Sequence, residues 1–212
     1  PDRRCMTQAP RVVVIGAGPG GYAAAFRAAD LGREVTLIDA SPALGGECLH
    51  QGCIPSKALL TATHLRDQIS AAQTMGIHVD GISVDPAAMN QWKDGILAQL
   101  AKGLEQLATR RRIEIIHGHA TFTGSRRLRV SNGGAGTLTF EQAIIATGSG
   151  PIHLPGIEID GERIMTSREA LQLRSIPERL LVIGGGYIGL ELGSVYARLG
   201  SQVTVVELTE QL

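Results

Sequence analysis

Arg11-Val-Val-Val-Ile-Gly-Ala-Gly-Pro-Gly-Gly21 decides the fold, because the chain uses this pattern twice. The second copy is Arg179-Leu-Leu-Val-Ile-Gly-Gly-Gly-Tyr-Ile-Gly189, aligned without a gap. The register continues through Leu31-Gly32 against Leu199-Gly200 and Val35-Thr36 against Val203-Thr204, and ends with Asp39 opposite Glu207. Each copy reads as an apolar strand, a glycine turn, an amphipathic helix, a second strand and a terminal acid. That order predicts two βαβ units, hence an α/β fold with two Rossmann-like halves.

A glycine pattern alone is weak, but a strand before it, a helix after it and an acid at the end of the next strand give it a context. Each position has its own physical reason. Gly16 and Gly184 allow the tight turn, Gly18 and Gly186 let a pyrophosphate approach the backbone, and Gly21 and Gly189 let helix and strand pack closely. The helix N-terminus offers unpaired N–H groups and a positive dipole end to phosphates, and Asp39 and Glu207 are placed to accept ribose hydroxyls. The competing reading is a pair of α/β units with no ligand. A carboxylate at Glu207 would repel a 2′-phosphate, and Leu208-Thr-Glu-Gln-Leu212 supplies no basic group to offset it. The second unit is therefore expected to take NAD.

Between the copies, residues 55–72 and 86–108 read as helices, the latter with Ile96, Leu97, Leu100, Leu104 and Leu107 at helical spacing. Residues 113–116 read as a strand. Residues 122–140 read as short strands about the hairpin signal Asn132-Gly133-Gly134, a small β-meander within the first unit. Residues 143–146 read as a buried strand ending at Thr147-Gly148. A Pro- and Gly-rich stretch over 150–161 marks the expected boundary between a domain of residues 1–150 and the start of another over 151–212. Arg110-Arg111-Arg112 reads as a solvated helix end whose cations suit the dipole.

Composition excludes several classes. Across 212 residues, 20 basic and 20 acidic side chains leave no net charge to attract nucleic acid or an anionic membrane. No uncharged apolar run approaches the roughly 18 residues of a spanning helix. Pro1-Asp-Arg-Arg-Cys5 leads into no apolar signal core, so a cytoplasmic location is expected, with Met6 a candidate initiator. Three cysteines are too few for a disulfide scaffold, and Cys5 falls in an expected loose terminus.

The other two cysteines stand in Leu44-Gly-Gly-Glu-Cys48-Leu-His-Gln-Gly-Cys53-Ile-Pro-Ser-Lys57-Ala-Leu-Leu60. Four readings are open: a redox pair, a zinc site, a structural disulfide and inert buried thiols. His50 and His64 complete no zinc spacing, so no metal is expected. A structural bridge is unexpected in a cytosolic chain and would restrain only a short loop. Pro55 suits the first turn of a helix, which would put the pair near a dipole end that stabilises thiolate. Lys57 lies one turn beyond Cys53 on the same face, where it is either a supporting cation or an ordinary surface lysine.

This segment resembles the active-site segment of the pyridine nucleotide-disulfide oxidoreductases, which include lipoamide dehydrogenase, glutathione reductase and mercuric reductase. Its Cys-Ile-Pro-Ser-Lys form is most similar to lipoamide dehydrogenase. The resemblance runs from Arg11 onward and includes Ile145-Ala-Thr147-Gly148-Ser and Gly184-Gly-Gly-Tyr-Ile-Gly-Leu-Glu191. It implies FAD on the first glycine turn and NAD on the second. It further implies that Cys48 exchanges with substrate, that Cys53 is the flavin-proximal thiol, and that Lys57 sits at the flavin edge paired with Glu191. By the same resemblance Gly46, Thr147 and Gly148 lie against FAD, and Ala120 contacts its adenine through backbone. Asp39 departs from the commoner Glu, though either carboxylate accepts ribose hydroxyls.

The implied reaction oxidises dihydrolipoamide, carried on the lipoyl domain of a multienzyme complex. Electrons pass through the Cys48–Cys53 disulfide and FAD to NAD, within a homodimer. Family members are longer than this chain. The remainder of the NAD domain, a second FAD-contacting segment, and the interface domain with its His–Glu base are expected to be absent here. The isolated chain is thus expected to turn over poorly. The alternatives are a glutathione-type reductase, disfavoured by Ser56 and Glu207, and a truncated non-enzymatic nucleotide-binding subunit.

Overall fold

A computed structural model describes residues 11–131 and 136–210. Pro1 to Met6, with Cys5, and the Asn132-Gly133-Gly134 hairpin signal lie outside the described residues. The chain divides into two compact units that interleave in sequence: Pro1–Leu49 with Gln99–Ser149, and His50–Ala98 with Gly150–Leu212.

The first unit is built on strands β1 (Arg11–Ile15) and β2 (Glu34–Asp39), joined by helix α1 (Pro19–Asp30). With β3 (Glu114–His117) and β7 (Gln142–Ile145) they form a parallel sheet in the order β3-β2-β1-β7. Strands β4 (His119–Gly124), β5 (Arg127–Ser131) and β6 (Gly136–Thr139) form an antiparallel meander. The near-continuous apolar runs of β1 and β2 follow from burial on both faces. Val12, Val14, Val35 and Leu37 pack with Ala25 of α1, Ala108 and Ile113. Val13 and Ile38 face the other way, onto Leu128, Val130 and Phe140 of the meander. Thr36, fully buried in β2, donates its hydroxyl to Glu114 Oε2 at 2.8 Å.

Two sequence boundaries between the units fall within helices α2 (Gly46–Gln51) and α4 (Pro86–Arg110). The second unit contains α3 (Cys53–Ala72), α5 (Ser167–Ala170), β8 (Arg179–Ile183), α6 (Tyr187–Arg198) and β9 (Gln202–Val206). Strands β8 and β9 pair in parallel, Arg179 opposite Gln202 through Ile183 opposite Val206. The core gathers Leu59 of α3, Leu171, Leu173, and Leu192, Val195 and Tyr196 of α6. Polar ties close it. Arg66 donates to the Arg198 carbonyl, Arg198 Nε meets Asp67 Oδ2 at 2.7 Å, and Tyr196 Oη donates to the Ala170 carbonyl at 2.9 Å. Buried Lys93 reaches the Leu171 carbonyl at 2.8 Å.

Two sequence expectations are corrected, and the helical spacing read over α4 is refined. Strand β7 is not buried: Ile144 and Ile145 are exposed, because β7 forms the sheet edge and pairs with β1 on one side. Leu100 and Leu107 are also exposed. The buried line of α4 runs instead through Leu97, Ala101 and Ala108, where small side chains admit close packing. Arg111 is not merely solvated, since it bonds Asp30 Oδ1 at 2.9 Å and lies 5.0 Å from the Phe26 ring centre. No helix among the described residues is long and apolar enough to cross a membrane.

Candidate functional site

The two glycine turns are built alike. Gly16 and Gly184 both have φ near the left-handed side, +102° and +101°, which glycine tolerates without a Cβ penalty. Their amides are tied to the second strand: Gly16 N–H donates to Ile38 C=O at 2.7 Å, and Gly184 N–H to Val206 C=O at 2.8 Å. A Cβ on Gly21 would run into the Gly16 carbonyl oxygen. One on Gly189 would come 2.9 Å from Val182 Cγ1 and press on the Gly184 carbonyl. These glycines serve helix–strand packing.

Gly18 and Gly186 differ. A Cβ on Gly186 would meet nothing within 4 Å, and one on Gly18 would come no closer than 3.9 Å, to Gly46 Cα. Internal packing does not require them, so the space they leave is open to a ligand. Both cap a twelve-residue helix, α1 or α6, without any side-chain hydrogen bond to its first turn. That combination, uncapped N–H groups beside unfilled space, fits a pyrophosphate.

The terminal acids close each turn. Asp39 Oδ2 accepts from Ala17 N–H at 2.5 Å while Oδ1 accepts from Ser41 N–H at 2.7 Å. Glu207 repeats this with Gly185 N–H at 2.6 Å on Oε2 and Thr209 N–H at 2.9 Å on Oε1. The backbone bonds from Thr209 and Gly185 and the Thr209 hydroxyl hold the Glu207 carboxyl down at about 2. A carboxylate has about four acceptor positions, so Asp39, with two in use, keeps capacity for ribose hydroxyls, whereas Glu207 also accepts the Thr209 hydroxyl at 3.0 Å.

Other first-unit residues gather at the same strand ends. Gly46, at φ +58°, backs directly onto the turn; a Cβ there would lie 2.5 Å from Gly18 Cα. Gly45 N–H donates to the Ala17 carbonyl at 2.9 Å. Thr147 and Gly148 follow β7 and are exposed, and Thr147 N lies 3.1 Å from where a Gly16 Cβ would stand. The β3–β4 junction joins them, since Gly118 N–H donates to Asp39 C=O at 2.8 Å. Ala120 is two residues further on β4, its side chain packed toward the core under the meander. The strand order reverses direction between β1 and β7, and such switch points at strand C-terminal ends are where α/β sheets bind ligands.

Cys48 is half-buried on α2 in the first unit. Cys53 is exposed and is the first residue of α3 in the second unit, after an N-cap at Gly52 that carries no side-chain hydrogen bond. Helix α3 thus begins two residues before Pro55, and the Cys53 side chain stands at its N-terminal end. One turn on, Lys57 Nζ lies 2.5 Å from Glu191 Oε1 of α6. This bond to Glu191 raises the Lys57 ammonium above its ordinary value, with the field of Cys53 among the lesser causes. The same bond, aided by Ser56, lowers the Glu191 carboxyl.

Ser56 was not singled out as a site residue from sequence. It is buried, and its hydroxyl lies 3.1 Å from Glu191 Oε2 and 3.2 Å from the Cys53 carbonyl. A hydroxyl three residues after the cysteine in a first helical turn is the available signal. Nearby, His117 Nδ1 lies 2.9 Å from the Ser41 carbonyl, and His117 is the register partner of Asp39.

The profile of the family described as pyridine nucleotide-disulphide oxidoreductase matches residues 10–212. Dihydrolipoyl dehydrogenase 2 of Haloarcula marismortui is 46% identical over 211 residues, 98% of this chain and 44% of that protein. Dihydrolipoyl dehydrogenase of Geobacillus stearothermophilus is 47% identical over 196 residues, 92% of this chain and 41% of its own length. Among solved structures, LpdA from Mycobacterium tuberculosis superposes with a TM-score of 0.87 at 29% identity, covering 95% of this chain and 45% of that one. The HOCl-induced flavoprotein disulfide reductase RclA from Escherichia coli gives 0.79 at 28%, covering 95% and 42%. The chain spans less than half the length of the relatives it matches.

Proposed function

The chain belongs to the pyridine nucleotide-disulphide oxidoreductase family, and from that premise we propose that it carries the dithiol and cofactor-binding segments of a dihydrolipoamide-oxidising flavoprotein. The observation that carries the reading is the paired glycine turns, each with an uncapped helix end, open space at its middle glycine and a carboxylate at its rim. Residues 1–150 are assigned to FAD binding and residues 151–212 to the beginning of an NAD-binding domain. Gly16, Gly18, Gly21, Asp39, Gly46, Ala120, Thr147 and Gly148 line the first site. Gly184, Gly186, Gly189 and Glu207 line the second. The carboxylate at Glu207 favours NAD over its 2′-phosphate.

Cys48 and Cys53 are assigned as the exchanging dithiol–disulfide pair. A dihydrolipoamide thiolate attacks Cys48 Sγ, forming a mixed disulfide and releasing Cys53 as thiolate. The second substrate thiolate then attacks the substrate sulfur of that bond, closing the lipoamide ring and releasing Cys48 as thiolate. The dithiol has gained the two electrons the substrate lost. FAD, when bound, would supply the acceptor for this pair on its way to NAD. Cys53 suits the leaving role because it stands at the N-terminal end of α3, where the dipole stabilises negative charge. Lys57, held by Glu191, adds a fixed cation one turn away. The dithiol potential must lie close to those of its partners, since 30 mV corresponds to about 1.4 kcal/mol.

The test compares dihydrolipoamide with glutathione as NAD-linked substrates, using a protein of the relatives' length that contains this chain. Turnover of dihydrolipoamide, lost in Cys48→Ser, supports the reading. Preference for glutathione would replace it with the related reductase.

A further inference from the structure

The Ser56 hydroxyl has one proton and two acceptors at nearly equal reach, Glu191 Oε2 at 3.1 Å and the Cys53 carbonyl at 3.2 Å. The carbonyl belongs to the first turn of α3, where a serine three residues on commonly bonds back. The carboxylate is charged, and bonds to an ionised acceptor are roughly twice as strong as neutral ones. An ionised Glu191 therefore competes better for the Ser56 hydroxyl than the carbonyl does, and a protonated Glu191 would leave the hydroxyl to donate to the Cys53 carbonyl. Lys57 occupies the other carboxylate oxygen at 2.5 Å, so Ser56 and Lys57 hold Glu191 from two sides.

We propose that Ser56 is a positioning residue, steering the Lys57 ammonium through Glu191 and passing the charge state of that pair to the Cys53 backbone. Ser56 is 7% exposed, so water competes poorly for its proton. Its two acceptors lie on different helices, and 135 positions separate Ser56 from Glu191 in the chain. The other titratable groups whose fields reach Lys57 are the Cys53 thiol and the Tyr187 phenol. The value of such a device to the reaction rests on the proposed dithiol–flavin reading. The hydrogen-bond exchange itself does not.

The experiment is carbon-13 NMR on the 212-residue chain with labelled glutamate carboxyls and cysteine carbonyls. The Glu191 signal is assigned by its loss in Glu191→Gln, and no flavin is needed. Titrated into acid, the Cys53 carbonyl is expected to shift with the Glu191 midpoint. Ser56→Ala should move the Glu191 midpoint upward and abolish the coupled shift at Cys53, and Ser56→Thr, which keeps a hydroxyl, should restore both. An unmoved Glu191 midpoint in Ser56→Ala overturns the proposal. So does a Cys53 shift that persists without the hydroxyl, or a failure of Ser56→Thr to restore what Ser56→Ala removed. Each result stands whether or not the chain later proves to bind flavin.

Discussion

Glu207 accepts the Gly185 amide hydrogen at 2.6 Å, just as Asp39 accepts that of Ala17 at 2.5 Å. In both copies the carboxylate at the end of the second strand closes the glycine turn at the end of the first. The acid therefore has a structural duty beside any ligand duty: it satisfies turn amides that would otherwise face solvent or a phosphate. Repetition of the same bond at the same relative positions ties the sequence duplication to a duplicated physical device.

Glu207 makes the acid limb of stability predictable. Its carboxyl is lowered to about 2 when folded, from an ordinary value of 4.5. A lowered folded value gives stability that is present above the unfolded value and lost as pH falls through the folded one. Urea unfolding of the second unit should thus weaken progressively from pH 4.5 down to about 2. Glu207→Gln should flatten that slope; an unchanged slope would show that the clasp does not contribute.

Two glycines of one turn should separate folding from binding. Gly189→Ala places a Cβ against the Gly184 carbonyl and Val182, and overpacking of this kind costs about 1–3 kcal/mol. Gly186→Ala meets no atom within 4 Å and should change unfolding by less than about 1 kcal/mol, the scale of a helix cap. Its effect should appear in NAD affinity, measured by calorimetry. Equal destabilisation by both substitutions would refute the distinction.

Tyr196 bears on the alkaline side. Burial raises its phenol above the ordinary value of 10.0. The stability it contributes is present below that value and lost as pH rises through the folded one. Tyr196→Phe removes the bond to the Ala170 carbonyl and should cost about 1 kcal/mol at neutral pH. In the same variant the alkaline fall in thermal midpoint should be shallower. A variant as stable as wild type at neutral pH would mean that the carbonyl finds another partner.

The duplicated βαβ unit was legible because its signals are local: glycine spacing, strand length and a terminal acid. Helix α3 was legible from Pro55, though it starts at Cys53. Helix α2 was not, since six residues that begin on a glycine have no amphipathic period to read. The exposure of Ile144 and Ile145 was hidden because an edge strand and a central strand share one apolar signature. The choice between Leu100 and Ala101 as the buried face of α4 depends on what packs there. The same holds for Ser56, whose partner Glu191 is distant in sequence and close only in the fold.

The central claim is tested most directly by anaerobic two-electron reduction of the FAD-loaded protein, followed by visible absorbance. A long-wavelength band is predicted for the wild type after reduction, for Cys48→Ser before any reductant is added, and for Cys53→Ser in neither state. Survival of the band in Cys53→Ser, or its absence from wild type with FAD bound, would contradict the account.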